Sequence, residues 1–113
     1  MISLSLPIKA VSLTNQREHW ATRASRARAH REAVAWAWRA HPKLWPRVPK
    51  LPCVVTITRV GPRILDSDNL QGAGKHVRDE VARQIGVDDA DPRIVWRYEQ
   101  ERGKGYEVRV EIE

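Results

Sequence analysis

One stretch of the chain, residues 53–60, can form little other than a β-strand. Its sequence, Cys53-Val-Val-Thr-Ile-Thr-Arg-Val60, is rich in β-branched residues, and Pro52 and Gly61-Pro62 bound it on either side. Residues of this kind favour the pleated, buried positions of a sheet, and the flanking turn residues set its length. We therefore predict a central strand here, and we assign the other elements around it.

The residues before this strand predict an edge strand, a long helix and a loop. The first strand falls within residues 2–13, where Pro7 indicates an edge or a bend. The helix is predicted over residues 16–41, with an N-cap at Thr14-Asn15 and no internal glycine or proline. Its apolar stripe is expected to contain Trp20, Ala24, Ala27, Val34 and Trp38. Arg17, Arg28, Arg31 and Arg39 lie mostly outside this stripe and predict a basic helix face, which could serve either phosphate binding or solvation.

Four prolines between residues 42 and 52 predict a loop, which is also basic. Trp45 lies in this loop, where it could either cover the core or stack on a nucleic-acid base. The sequence leaves both alternatives open.

The residues after the central strand predict a second helix and two strands. The helix covers about residues 68–85 and ends at Gly86, and its buried positions are Leu70, Ala73, Val77, Val81 and Ile85. Alternation predicts strands over 93–100 and 106–113, joined as a hairpin by residues 102–105. The order β-α-β-α-β-β predicts a single α/β (α+β) domain over residues 1–113, with a mixed sheet packed by two helices.

The charge of the chain is +6 and is unevenly distributed. Residues 1–65 hold twelve Lys or Arg against two acids, whereas residues 66–113 hold eight against twelve. The first part predicts a surface for a polyanion, although basic residues can also serve solubility alone. We expect no membrane partner and a cytoplasmic location, because no apolar run is long enough to span a bilayer and a signal peptide is not evident. The single cysteine, Cys53, is expected to be a buried apolar residue.

Two carboxylates lie two residues apart at the start of the second helix, in Asp66-Ser-Asp68-Asn69. Taken alone, this motif is a turn with an N-cap; with a second acidic cluster it could be half of a magnesium site. That cluster contains Asp88, Asp89 and Asp91, and it must return alongside the helix, or come from a partner subunit, to reach Asp68. The spacing fits neither an EF-hand nor a zinc deaminase.

The motif Asp66-x-Asp68-Asn69-Leu70, the helix after it and the pair Asp88-Asp89 resemble the RusA-type Holliday-junction resolvases, which are small phage-borne endonucleases. The resemblance implies a homodimer that cuts branched DNA in recombination and repair, with Mg²⁺ or Mn²⁺ as cofactor and no organic cofactor. It implies Asp66, Asp68 and Asp89 as catalytic metal ligands, with Asp88 beside Asp89. The acidic turn continues here to Asp91, where the family more often enters a strand, so Asp91 is a rival third ligand. The family's lysine corresponds to Gly72, so Lys75 is the nearest candidate for an electrostatic helper.

The hypothesis of a DNA endonuclease also predicts which residues contact DNA. On a continuous helix, Gln71, Lys75 and Arg78 would lie beside Asp68, and arginine forks suit phosphate. The predicted DNA-binding residues are Arg28, Arg31, Arg63, Asn69, Gln71, Lys75 and Arg78. The alternatives from other classes are a non-catalytic basic nucleic-acid-binding module of the same fold and a purely structural phage protein.

Overall fold

The computed structural model describes residues 1–11 and 20–113, and for Trp20 its backbone only. Within these ranges the chain forms four strands and three helices. In chain order they are β1 (Ile2–Leu6), α1 (Trp20–Ala40), β2 (Cys53–Gly61), α2 (Ser67–Ala73), α3 (Lys75–Ile85), β3 (Ile94–Arg102) and β4 (Glu107–Ile112). The α+β class and the mixed sheet are confirmed, and the order of elements matches the predicted β-α-β-α-β-β except that two helices stand where one was predicted.

The four strands form one mixed sheet in the order β1-β4-β2-β3. β2 is interior, as predicted, and pairs parallel with β3 and antiparallel with β4. β1 pairs antiparallel with β4 and is an edge strand that ends immediately before Pro7. The prediction that Pro7 marks an edge is therefore confirmed, because a residue without an N–H cannot continue a ladder.

The helices cover one face of this sheet and form the core with it. Val34 and Trp38 of α1 and Val77 and Val81 of α3 are fully buried, and alternate residues of β1, β2 and β4 are buried with them. In β3 only Ile94 is buried, while Trp96 and Tyr98 are partly buried against the core. The periodic positions predicted for residues 70–85 are all buried, and Cys53 is buried as expected. In α1, however, Ala24 is exposed, and His30 lies in the stripe instead. The predicted N-cap at Thr14-Asn15 and the first helical residues, 16–19, lie outside the described residues.

The predicted helix over residues 68–85 is two helices that meet at Gly74, so the prediction of one continuous helix is wrong. A Cβ on Gly74 would lie 3.1 Å from Cε1 of Tyr98 and 3.6 Å from Cγ2 of Ile57. The glycine thus allows close approach to the sheet, and both Gly72 and Gly74 weaken a helix. As a result, Lys75 begins α3 and does not share one helical face with Asp68.

The predicted hairpin between β3 and β4 is also wrong, because β2 lies between these two strands. Their connection crosses the end of β2, where the N–H of Gly103 donates to the carbonyl oxygen of Gly61 at 2.9 Å. Alternation predicts which face of a strand is buried, but it does not predict which strand lies beside it.

Candidate functional site

Asp66 is the N-cap of α2, and both of its carboxylate oxygens are used locally. Oδ1 accepts from the backbone N–H of Asn69, and Oδ2 accepts from the side-chain amide of Asn69, each at 2.9 Å. Asp68 lies in the first turn, is exposed, and makes no hydrogen bond or salt bridge with a described residue. The capping prediction is therefore confirmed for Asp66, while Asp68 presents an unpaired carboxylate beside it.

The segment before the motif is fixed to the edge strand β3. The side-chain amide of Gln100 donates to the carbonyl oxygen of Leu65 at 2.7 Å, and its oxygen accepts from the N–H of Leu65 at 2.9 Å. This reciprocal pair satisfies both backbone groups of Leu65. It holds the start of α2 against the carboxyl-terminal half of β3.

Asp89 is held by Arg78 and Trp96. Nη2 of Arg78 and the indole N–H of Trp96 donate to the carbonyl oxygen of Asp89, at 3.1 Å and 2.9 Å. Nε of Arg78 lies 3.1 Å from Oδ2 of Asp89, an ion pair that lacks the alignment of a hydrogen bond. Nη1 of Arg78 donates to the hydroxyl of Tyr98, and the guanidinium lies 4.8 Å from the ring centre of Trp96. The structure thus binds Arg78 internally, between α3, the loop after it and β3.

The other two acids of this loop are also engaged. Oδ1 of Asp88 accepts from the N–H of Ala90 at 2.8 Å, which forms the predicted tight turn. Asp91 accepts from Nε and Nη2 of Arg93, at 3.1 Å and 2.8 Å, and from the N–H of Arg93. These bonds lower the pKa of Asp91 to about 2. Asp91, the rival for third ligand, is therefore one half of a forked ion pair.

The two acidic segments are attached to different points of β3. The segment before Asp66 is bound to Gln100 and the carbonyl of Asp89 to Trp96, and these two strand residues are about 13 Å apart at 3.3 Å per residue. Across residues 1–11 and 20–113, no three His, Cys, Asp or Glu side chains form a group that could hold a metal ion.

The basic residues predicted near the motif are mostly exposed. Lys75 is the first residue of α3, and Gln71 is the exposed residue one turn after Asp68. Arg63 is exposed, and its carbonyl oxygen accepts from Nη1 of Arg59 at 2.6 Å. Arg59, which the sequence analysis did not single out, is buried in β2 and also donates to the carbonyl oxygen of Ala10 at 2.8 Å.

The arginines of α1 line a cleft between α1 and α3, which we call the α1–α3 cleft. Its volume is about 440 Å³. Arg28, Arg31 and Arg39 are exposed on α1, as predicted, and Arg83 faces them from α3. The cleft therefore lies between the predicted basic helix, α1, and α3, which follows the short helix that begins at the acidic motif.

Two histidines that are far apart in sequence meet between the same helices. The rings of His30 and His76 are 6.3 Å apart in an edge-to-face arrangement, and Nε2 of His30 donates to the carbonyl oxygen of Lys9 at 3.0 Å. Burial lowers the pKa of both rings, and Arg31 adds to this effect at His76. This pair could not be predicted from the sequence, because no spacing rule joins positions 46 residues apart.

None of the helices in the described part of the chain is both long and apolar enough to cross a bilayer. Comparison with family models, with curated proteins and with solved structures found no match to this chain. The fold and the site define the chain as a basic α+β protein with two acidic segments on the connection between its parallel strands.

Proposed function

We propose that the chain is a metal-dependent, structure-selective DNA endonuclease of the RusA type, which hydrolyses phosphodiesters near four-way junctions in recombination and repair. The observation that carries the proposal is Asp68, which is exposed and has no partner among the described residues, beside Asp66 in the connection that follows the interior strand β2. The same connection between parallel strands also contains Asp88 and Asp89, as the resemblance requires. The proposal includes a cytoplasmic location and a homodimer.

The chemistry of these carboxylates fits magnesium or manganese. Magnesium in proteins commonly has one or two carboxylate ligands, with waters and substrate phosphates completing its shell. Asp66 and Asp68 would hold the ion. Asp89, with Asp88 beside it, would have to move towards α2 to become a third ligand, because no three acids are grouped among the described residues. Asn69 orients Asp66 through two hydrogen bonds and leaves each oxygen a further lone pair. The bound ion would activate water and stabilise the leaving oxygen.

The basic residues would bind and orient the DNA backbone. Arg28 and Arg31 make no salt bridge with any described residue, so their guanidinium groups can pair with phosphate. Lys75, Arg63 and Gln71 are exposed within ten residues of Asp66 in sequence. In this proposal Lys75 neutralises charge on the phosphate during hydrolysis, and the others position the strand.

The ion pair between Arg78 and Asp89 favours a second candidate, a non-catalytic basic nucleic-acid-binding module of the same fold. The guanidinium neutralises the carboxylate that the resemblance assigns as third ligand. A metal ion at Asp89 would have to share that oxygen or displace Arg78. A binding module would need no such rearrangement.

Cleavage and binding of a synthetic four-way junction distinguish the two candidates. We expect the wild type to cut the junction with Mg²⁺ or Mn²⁺ and not with a chelator. Asp68→Asn is expected to lower the cleavage rate at least about 100-fold, because it removes a charged ligand, while junction affinity measured in chelator stays unchanged. Asp79→Asn removes one acid from α3, outside the motif, and serves as the control. A wild type that shifts the junction but never cuts it would refute the nuclease and favour the binding module.

A further inference from the structure

We propose that the α1–α3 cleft binds unpaired, single-stranded DNA, with one base stacked on Trp45 and the flanking phosphates on arginines from both helices. This inference rests on the proposed function for its choice of DNA, but it does not require cleavage. It assigns the place where a junction enzyme would hold an unpaired segment, separate from the acidic motif.

The charge of the cleft favours an anionic ligand. Four arginines line it, and the three on α1 make no salt bridge with a described residue. Of the two acids present, Glu80 is only 4% exposed, accepts from Nε2 of Gln84 at 2.8 Å, and lies 3.8 Å from Nη1 of Arg83. Glu32 is the other acid. The arginines therefore dominate the field that a ligand would meet.

Exposed aromatic rings lie beside this charge. Trp45 is 42% exposed and Trp36 is 78% exposed, although large aromatic side chains are normally buried. The guanidinium of Arg39 lies 4.9 Å from the ring centre of Trp45. Arg39 also lines a pocket of about 230 Å³ with Trp36, so its side chain borders both tryptophans.

This combination matches the chemistry of single strands rather than of duplexes. Proteins that bind single strands combine a positive groove for phosphates with aromatic rings on which bases stack. In a duplex the bases are already stacked and paired, so an indole can reach them only if a base is flipped out. The cleft volume, about 440 Å³, is within the range of sites for a ligand of nucleotide size.

A second copy of the chain is a poorer occupant. A symmetric dimer would place the same patch of each subunit against its counterpart. The arginines of the cleft would then face one another, and like charges brought together oppose association. The charge of the surface thus favours DNA over self-association.

Fluorescence anisotropy in chelator tests the proposal, with a labelled oligothymidylate of about 12 nucleotides and a duplex of equal length. We expect Trp45→Leu to weaken single-strand binding about tenfold and to change duplex binding less than about twofold, since stacking requires an unpaired base. Trp45→Phe should restore most of the affinity, because it keeps a ring. Trp36→Leu, an exposed position that cannot disturb the core, should also weaken single-strand binding.

Arg39→Gln and Arg97→Gln form a matched pair, because Arg97 is exposed on the face of the sheet opposite to the helices. Only the first should weaken single-strand binding. Unchanged single-strand affinity in both tryptophan variants would overturn the proposal. A tryptophan variant that changes from dimer to monomer but keeps its single-strand affinity would also overturn it. If Trp45→Leu weakens single-strand binding but the wild type never cuts a junction, the nuclease fails and this inference stands.

Discussion

At the residue scale, the forked pair between Asp91 and Arg93 shows that the acid before β3 has a different role from the acid in the first turn of α2. Asp91 has three hydrogen bonds to Arg93, whereas Asp68 has no partner among the described residues. A carboxylate that an arginine already neutralises has less to gain from a cation than an exposed one. We therefore assign Asp91 to the stability of the turn before β3, and Asp68 to ligand binding.

The low pKa of Asp91 makes this turn sensitive to acid. Its pKa is about 2 in the folded protein and 3.8 ordinarily, so its contribution to stability is complete above about pH 4 and is lost as the pH falls towards 2. In Asp91→Asn, the amide oxygen can still accept from the N–H of Arg93, and only the charge is removed. We expect the gap in urea midpoint between wild type and Asp91→Asn to be constant above pH 5 and to close by about pH 2.

Asp68→Asn is the control for the loss of one negative charge without loss of an ion pair. Parallel curves for wild type and Asp91→Asn down to pH 2 would contradict the assignment of the acid-sensitive charge to Asp91.

At the element scale, Arg78 connects α3, the loop over residues 86–93 and β3. Its guanidinium reaches the carbonyl and carboxylate oxygens of Asp89 and the hydroxyl of Tyr98, and it packs on Trp96. Lysine offers a single ammonium and cannot make this planar, forked set of contacts. The position of the loop relative to the sheet therefore depends on this side chain together with the indole N–H of Trp96.

We expect Arg78→Lys to lower the free energy of unfolding by about 2 kcal/mol, because hydrogen bonds to a charged group are lost and their partners are left partly buried. Urea denaturation measures this change. Arg83→Lys is the matched control on the same helix: its side chain is 79% exposed, its contact with Glu80 is 3.8 Å, and the expected change is below about 0.5 kcal/mol. Equal losses in the two variants would contradict the bridging role of Arg78.

The elements that could be predicted from the sequence are those determined by local pattern. Apolar spacing predicted α1 and the buried face of residues 70–85, because buried positions recur at the period of a helix. The β-branched residues and the flanking turn residues predicted β2. The break at Gly74 depends on contact with Tyr98, and the separation of β3 from β4 depends on strand pairing. Neither contact is visible in a local window.

The candidate site likewise contains features that the local sequence predicts and features that depend on long-range contacts. The role of Asp66 as a cap could be predicted because its partner, Asn69, is three residues away. The contacts of Arg78 with Asp89, and of His30 with His76, join separate segments and arise only when the helices pack on the sheet. The arginines of α1 could be predicted as a basic face, but the partner surface on α3 could not.

At the scale of the whole molecule, the basic and acidic parts of the sequence are arranged so that one helix pair presents arginines and the connection after β2 presents carboxylates. Positive charge recruits a polyanion over distances comparable to the Debye length, about 10 Å at moderate salt. Under the proposed function, the arginines would supply most of the affinity and the carboxylates would supply the chemistry. Binding and cleavage should then be separable by mutation.

The salt dependence of junction binding tests this separation. Each phosphate contact adds roughly one unit to the slope of log K against log salt concentration, since binding releases condensed counterions. We expect Arg31→Gln to reduce the slope by about 1 and Arg97→Gln to leave it unchanged, although both remove the same charge. The measurement is junction affinity in chelator across a range of salt concentrations. If the two variants lowered the slope equally, affinity would follow net charge rather than the α1–α3 cleft, and the division between binding and chemistry would be refuted.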